Sequence, residues 1–180
     1  MGPMEILDKI LRVSTLKRLP RMGWLFKDVP NPESIASHSF SVAFITLLLA
    51  NELKRKGVNI DEGKAIKIAI LHDIAESILT DLPLSAQKYL NKTEAEIKVF
   101  EDIFPEFLDL FVEYEEGKTL ESQVVKLADK IDMVVQAYKY MLAGNRNLDE
   151  FWTALDEVEK LEVSKYFKDL LDALRRLKHV

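Results

Sequence analysis

Two of the three histidines in this chain stand where chemistry could be done. His38 lies in PESIASHSF, and His72 lies in ILHDIAE, where Asp73 follows at once. The third, His179, is next to the C-terminus. A lone buried histidine is more often a hydrogen-bonded core residue than a ligand. An adjacent aspartate changes that, because a buried carboxylate is costly unless it is paired or bound to a metal. Imidazole nitrogens with carboxylate oxygens make a mixed site suited to a borderline divalent ion. On a continuous helix, His72, Asp73 and Glu76 would share an arc of about 100°. Ala65 and Ala69 fall on the same side and would leave room for an ion and a substrate.

A further ligand has to come from a distant segment, and KLADKIDMVVQAY offers two carboxylates. Val124, Leu127, Ala128, Ile131, Val135 and Tyr138 form one apolar stripe. Asp129 lies off it, on a second stripe with Val125, Asp132, Met133, Gln136 and Tyr140. Periodicity leaves Asp129 and Asp132 as rivals. It also leaves open whether that stripe faces a cavity or solvent.

These residues need helices to position them. Helical periodicity dominates, and no segment alternates apolar and polar as a half-buried strand does. A first helix is expected from Glu5 to Leu19, closed by Pro20, with PRMGWLFKDVPNP as a rigid loop. Ser34 caps a second helix that runs to Gly57, and Asp61 caps a third that runs through His72 to about Leu79. Thr93 and Glu96 have capping-box spacing before a helix that Pro105 interrupts. Gly117 closes that region, and Thr119 opens a long helix that ends near Gly144. Asp149 and Ser164 are expected to cap two final helices. The expected fold is all-α: one compact domain over 1–180, a bundle of roughly six to eight helices. The chemistry-bearing core spans about 20–142, and the helices of about 148–178 carry no motif.

Composition narrows the function classes. With 48% hydrophobic and 31% charged residues over 180 positions, the chain can bury a core and stay soluble. A net charge of -5 argues against a nucleic-acid polymer as partner, whereas a single nucleotide needs only a few local charges. The lack of cysteine removes disulfides, thiolate metal sites and cysteine nucleophiles together. The N-terminal segment has no long apolar stretch, and the run Val42 to Ala50 is too short to span a bilayer. A cytoplasmic protein without a membrane partner is expected.

Taken in order, these residues resemble the HD superfamily of metal-dependent phosphohydrolases, whose pattern is a histidine, an adjacent His-Asp pair and a later aspartate. His38, His72-Asp73 and Asp129 match it. HDIAESILTDLP resembles the HDxxExxxxDLP segment of the 5′-deoxynucleotidases. PRMGW, PESIASHS and LADKIDMVVQA resemble the rest of that pattern, over about residues 5–142. The resemblance implies hydrolysis of nucleoside 5′-monophosphates, of the 2′-deoxy kind, to nucleoside and phosphate. It implies one divalent ion (Mn, Co, Ni, Fe or Zn) held by His38, His72, Asp73 and Asp129. Glu76 would act on the attacking water, Arg21 would bind the phosphate, and Asp81 would contact the sugar. It also implies a homodimer. One departure stands out. In the bacterial enzymes a tryptophan directly follows the phosphate-binding arginine and helps exclude a 2′-hydroxyl. Here Met22 follows Arg21, so Trp24 either takes that role from a shifted loop or packs against the core.

Other HD activities are the alternatives. A nucleoside triphosphate hydrolase would need more cations than Arg21, Lys27 and Lys130. A di-metal cyclic-nucleotide phosphodiesterase would need further histidines. A non-catalytic metal-binding regulatory protein is the reading from another class, and Glu76 beside the ion argues against it.

Overall fold

Four side chains start the helices that matter most. Ser34, Asp61, Asn91 and Thr119 each accept a hydrogen bond from the backbone N–H three residues on. Each satisfies one of the orphan donors that every helix start exposes. In the computed structural model, which describes residues 1–180, they open α3 (Ile35–Arg55), α4 (Glu62–Leu71), α7 (Lys92–Ile103) and α9 (Leu120–Leu142). Before them come α1 (Pro3–Ser14) and the single turn α2 (Met22–Leu25). The single turns α5 (Glu76–Leu79) and α6 (Leu84–Gln87) lie between α4 and α7. Then come α8 (Leu108–Glu116), α10 (Ala154–Glu159) and α11 (Lys168–Leu177). There is no strand, only one isolated bridge between Pro20 and Ser34. The expected all-α class therefore holds.

The core forms in two parts. The larger part lies along α3, α4 and α9, with Leu49, Leu53, Ile68, Ala69, Leu127 and Ala128 at its centre, and α10 and α11 close it through Leu155 and Leu171. A smaller cluster of Leu16, Ile35, Leu71, Ile74, Phe100, Phe104 and Phe111 joins α7 and α8 to the segment after α4. Phe100 and Phe111 stack at 4.4 Å between centroids. By length and composition alone α3 is apolar enough to cross a membrane. It buries His38, Val42, Thr46 and Leu53 and packs along α4 and α9, as the central helix of a bundle does.

The structure corrects several local expectations. α1 stops at Ser14 and tightens into a 3₁₀ turn at Thr15–Lys17. The cap of α7 is Asn91 rather than Thr93; the Thr93 hydroxyl instead donates to Glu115. Asp149 opens a 3₁₀ turn without capping it, and the Ser164 hydroxyl turns back to the Val158 carbonyl. Neither starts a helix. The third helix does not run to Leu79: α4 ends at Leu71. Ala65 and Ala69 are fully buried, and Ala69 packs within the larger core, so neither opens space for a ligand. Gly117, by contrast, ends α8 as expected, in the left-handed conformation with φ +66°.

The cap of α9 gives a direct test. Thr119→Ala removes the acceptor for the Ser122 N–H and is expected to cost about 1 kcal/mol. The readout is a lower midpoint in thermal or denaturant unfolding, with the helical content of the folded state unchanged.

Candidate functional site

The site begins where α4 stops. His72 Nδ1 donates to the Ala69 carbonyl at 2.6 Å. That carbonyl would otherwise serve the continuing backbone ladder. The next residues tighten into turns with i to i−3 bonds, Ile74 N–H to Leu71 O and Glu76 N–H to Asp73 O. This local bond fixes the imidazole and leaves His72 Nε2 facing the site. Leu71 and Ile74, on either side of the His-Asp pair, anchor the turn in the smaller core.

His38 reaches the same point from α3, and α9 holds it from both sides. Its Nε2 lies 2.8 Å from Asp129 Oδ1, and its Nδ1 lies 2.7 Å from Asp132 Oδ2. The two carboxylates that periodicity left as rivals thus both touch the one imidazole. They are three residues apart and share a helical face. His72 Nε2 is 3.1 Å from Asp73 Oδ2 and 3.6 Å from Asp129 Oδ1, and His38 Nε2 is 3.6 Å from Asp73 Oδ2. One ligand atom from each of His38, His72, Asp73 and Asp129 lies within 4.8 Å of the other three.

This donor set fits a divalent ion. His72 Nε2 and Asp73 Oδ2 are buried without a hydrogen-bond partner, a state that costs free energy unless something else satisfies them. The far nitrogen of each imidazole is already tied, His38 to a carboxylate and His72 to a carbonyl, which is how metal-ligating histidines are usually oriented. Glu33, His38 and Asp132 also converge. Glu33, however, accepts from the Trp24 indole at 3.1 Å and lies 3.9 Å from Arg21, so that group supports the first.

The electrostatics follow from burial and pairing. Burial and the Arg21 cation would lower the His38 pKa, but hydrogen bonds to Asp129 and Asp132 raise it overall. Burial acts against the His72 cation too, and the Asp73 and Asp129 carboxylates push its pKa well up. Burial would raise Asp129 and Asp73; the imidazoles hold both below the usual carboxylate range. Glu76 has no such partner. Burial, with Asp73 and Asp81 nearby, pushes it up to about 10.

A cavity of about 700 Å³ opens over this cluster. His72, Asp73, Asp129, Glu76, Arg21, Asp81 and Trp24 all border it, and His38 closes it from behind as a fully buried residue. Arg21 sits at the neck of the loop before α3. Its N–H donates to the Glu33 carbonyl at 3.1 Å, and the Ile35 N–H donates to the Leu19 carbonyl at 2.8 Å. The Tyr140 hydroxyl of α9 accepts from the Glu33 N–H at 2.8 Å and pins the neck. The guanidinium then lies 3.8 Å from Asp73. Asp81 accepts the Met22 N–H at 2.7 Å. Thr80 turns the chain toward it with φ +62° and ψ 178°, a conformation normally left to glycine. Trp24 is 2% exposed and packs on Tyr140 and Phe151 while forming part of the wall. Glu33, Lys92 and Tyr114 were not singled out from the sequence, and Glu96 was read only as half of a capping box. Lys92 lies 3.9 Å from Glu76 and 3.8 Å from Glu96. Only the one-turn spacing of Lys92 and Glu96 hinted at a pair.

A family model described as HD domain matches residues 13–170. The chain belongs to the HD domain family. Among HD-domain relatives, the 5′-deoxynucleotidase hdd1 of Schizosaccharomyces pombe is 30% identical over 174 residues, covering 88% of this chain and 85% of that one. A solved structure of a conserved hypothetical protein from Pyrococcus furiosus is 62% identical, with a TM-score of 0.93, covering 94% of this chain and 99% of the other. An HD-domain phosphohydrolase of Listeria innocua shares the fold at 20% identity, with a TM-score of 0.72 over 94% of this chain and 89% of its own. The expected HD family is thus borne out.

Two outcomes are expected at the cluster. Asp132→Asn weakens the tie that orients His38 and should lower divalent-metal affinity by roughly 10- to 100-fold, measured by competition with a chelator. The second concerns pH. Without an ion the two imidazoles hold protons above their usual range near 6.5, and the stability this gives is lost as pH rises through the raised values. An ion must displace those protons. Metal affinity should therefore climb with pH by roughly tenfold per unit for each proton displaced. Flat affinity between pH 6 and 8 would contradict this.

Proposed function

We propose that this chain is a divalent-metal-dependent phosphomonoesterase that hydrolyses nucleoside 5′-monophosphates, the 2′-deoxy forms preferentially, to nucleoside and phosphate. One observation carries the reading: four ligand atoms converge, three of their residues border a cavity of about 700 Å³, and the half-buried Arg21 and the buried Glu76, whose Oε2 has no hydrogen-bond partner, border it too. His38, His72, Asp73 and Asp129 would hold the ion, one of Mn, Co, Ni, Fe or Zn. When bound there, the ion supplies Lewis acidity toward a phosphate oxygen and makes a water more acidic.

The chain's own residues supply the rest. Arg21 is held near the cluster by Asp73 and Glu33 and offers a planar, bidentate grip on phosphate oxygens. Glu76 Oε2 is buried without a partner, ready to hold the attacking water and take its proton. Its raised pKa is no obstacle in a loaded site, since a cation among the ligands and the Lys92 ammonium both favour the carboxylate. Water attacks phosphorus, the bond to the 5′-oxygen breaks, and that oxygen leaves with a proton. Asp81 and Trp24 border the same cavity and would face the sugar, where Trp24 offers a rigid wall against a 2′-hydroxyl. The names of the curated relatives support the nucleotide class.

We read 1–180 as one HD domain acting in the cytoplasm as a homodimer. Phe40, Phe44, Leu47 and Leu48 are exposed along one face of α3, and that apolar row supports self-association.

The deciding assay is phosphate release from 5′-deoxy- and ribonucleoside monophosphates after chelation and re-addition of each metal. Triphosphates and cyclic nucleotides serve as controls, and His72→Ala checks for contamination. Release restored by metal and absent in the variant is expected. Glu76→Gln should lower kcat by roughly 10²- to 10⁴-fold while keeping the metal; full activity in that variant would remove Glu76 from the mechanism. For the dimer, Phe40→Glu with Phe44→Glu should give a monomer in sedimentation.

A further inference from the structure

Lys126 is a lysine that the structure fixes in place without neutralising it. Its stem passes so close to Gly117 that a methyl group at 117 would sit 3.0 Å from Lys126 Cε. Its ammonium lies over the Tyr114 ring at 4.3 Å from the centroid, and that ring meets His72 edge-on at 5.6 Å. A glycine with φ +66° on one side and an aromatic face on the other thus hold a side chain that is normally mobile. Yet no carboxylate comes within ion-pairing distance of Lys126 Nζ, while Lys92 and Lys130, the other lysines at the cavity, each have one. One turn further along α9, Lys130 shares the same face, 3.8 Å from Asp129.

These two lysines border the main cavity and also a smaller lobe of about 280 Å³ shared with Tyr114, Asp129, Glu157, Val158 and Leu161. Of the carboxylates facing them, Asp129 holds His38 and pairs with Lys130, Glu115 accepts from Thr93, and Glu157 is an exposed residue at the rim of the lobe. Lys126, fixed beside open space and without an ion-pair partner of its own, is arranged to receive an anion from outside.

We propose that the lobe around Lys126 and Lys130 is a second oxyanion subsite beside the metal cluster, taking a phosphate-sized group distinct from the one held by Arg21. Its occupant is either a second phosphate of a substrate or the inorganic phosphate freed by the reaction. The phosphomonoesterase reading supplies this choice of anion; the cationic lobe itself stands on the geometry.

The test is calorimetric and requires no turnover, so a failure of the hydrolysis assay and a failure of this subsite are separate results. The Mn-loaded full chain is titrated with inorganic phosphate and with an α,β-methylene deoxynucleoside diphosphate, and metal content is measured again afterwards. Lys126→Gln is compared with the wild type, with unfolding midpoints confirming that it folds. Loss of one lysine-phosphate contact should weaken binding by about tenfold. If both anions bind more weakly to the variant, the lobe takes free phosphate. If only the diphosphate analogue does, it takes a second linked phosphate. Equal affinities in the two proteins, or no binding of either anion to the wild type, would overturn the proposal.

Discussion

Taking two imidazoles and three carboxylates out of water in the middle of an apolar bundle is the constraint around which this molecule is built. Each group alone would be costly to bury. Together they compensate one another, with His38 held between Asp129 and Asp132 at 2.8 and 2.7 Å and His72 set between Asp73 and the Ala69 carbonyl. Breaking one member of such a set leaves its partner buried and uncompensated, at a cost of roughly 3–5 kcal/mol. The contacts also join α3, the turn after α4 and α9, and so tie the smaller core to the larger. The site and the core are therefore one object. The arrangement that stabilises the bundle is the one that aims ligand atoms at a common point.

Around this centre the less regular parts have clear physical roles. The break after Leu71 lets successive residues turn into the cavity, where a continuing helix would have carried some of them past it. The smaller core of stacked phenylalanines then clamps the turn from outside. The loop before α3 brings in the only arginine at the cavity, and the strained Thr80 delivers Asp81 to the Met22 amide so that loop and turn are joined. Local cost at Thr80 secures the relative placement of two segments far apart in sequence.

How much of this was legible in the sequence depended on how local its cause was. The caps at Ser34, Asp61 and Thr119 and the stop at Gly117 are set by a residue and its near neighbours, and they were readable. The convergence around His72 and Asp73 was legible in part because an adjacent His-Asp pair among apolar residues has few cheap explanations. The end of α4 was not, because it hangs on a side-chain bond from His72 to Ala69 that competes with the ladder. Asp129 and Asp132 were inseparable because periodicity reports a shared face and cannot say which of the two nitrogens each would meet. Ala65 and Ala69 were misjudged for a related reason. A small residue marks close approach, and only the fold shows whether a helix or a ligand approaches. Thr93 was misjudged as a cap because its hydroxyl is taken by Glu115, a partner 22 residues away.

The loop that carries Arg21 is tied at its neck by the Leu19–Ile35 and Arg21–Glu33 backbone bonds and by Tyr140. The arginine sits at that neck, and the exposed tip at Pro30 and Asn31, beyond the buried Val29, lies several residues away. Anchor and tip are thus mechanically separate. The tip can lengthen, shorten or change composition with little effect on where the guanidinium points, much as a key ring can change size without altering the key. A peptide tag inserted at the tip is an engineering use of the same separation.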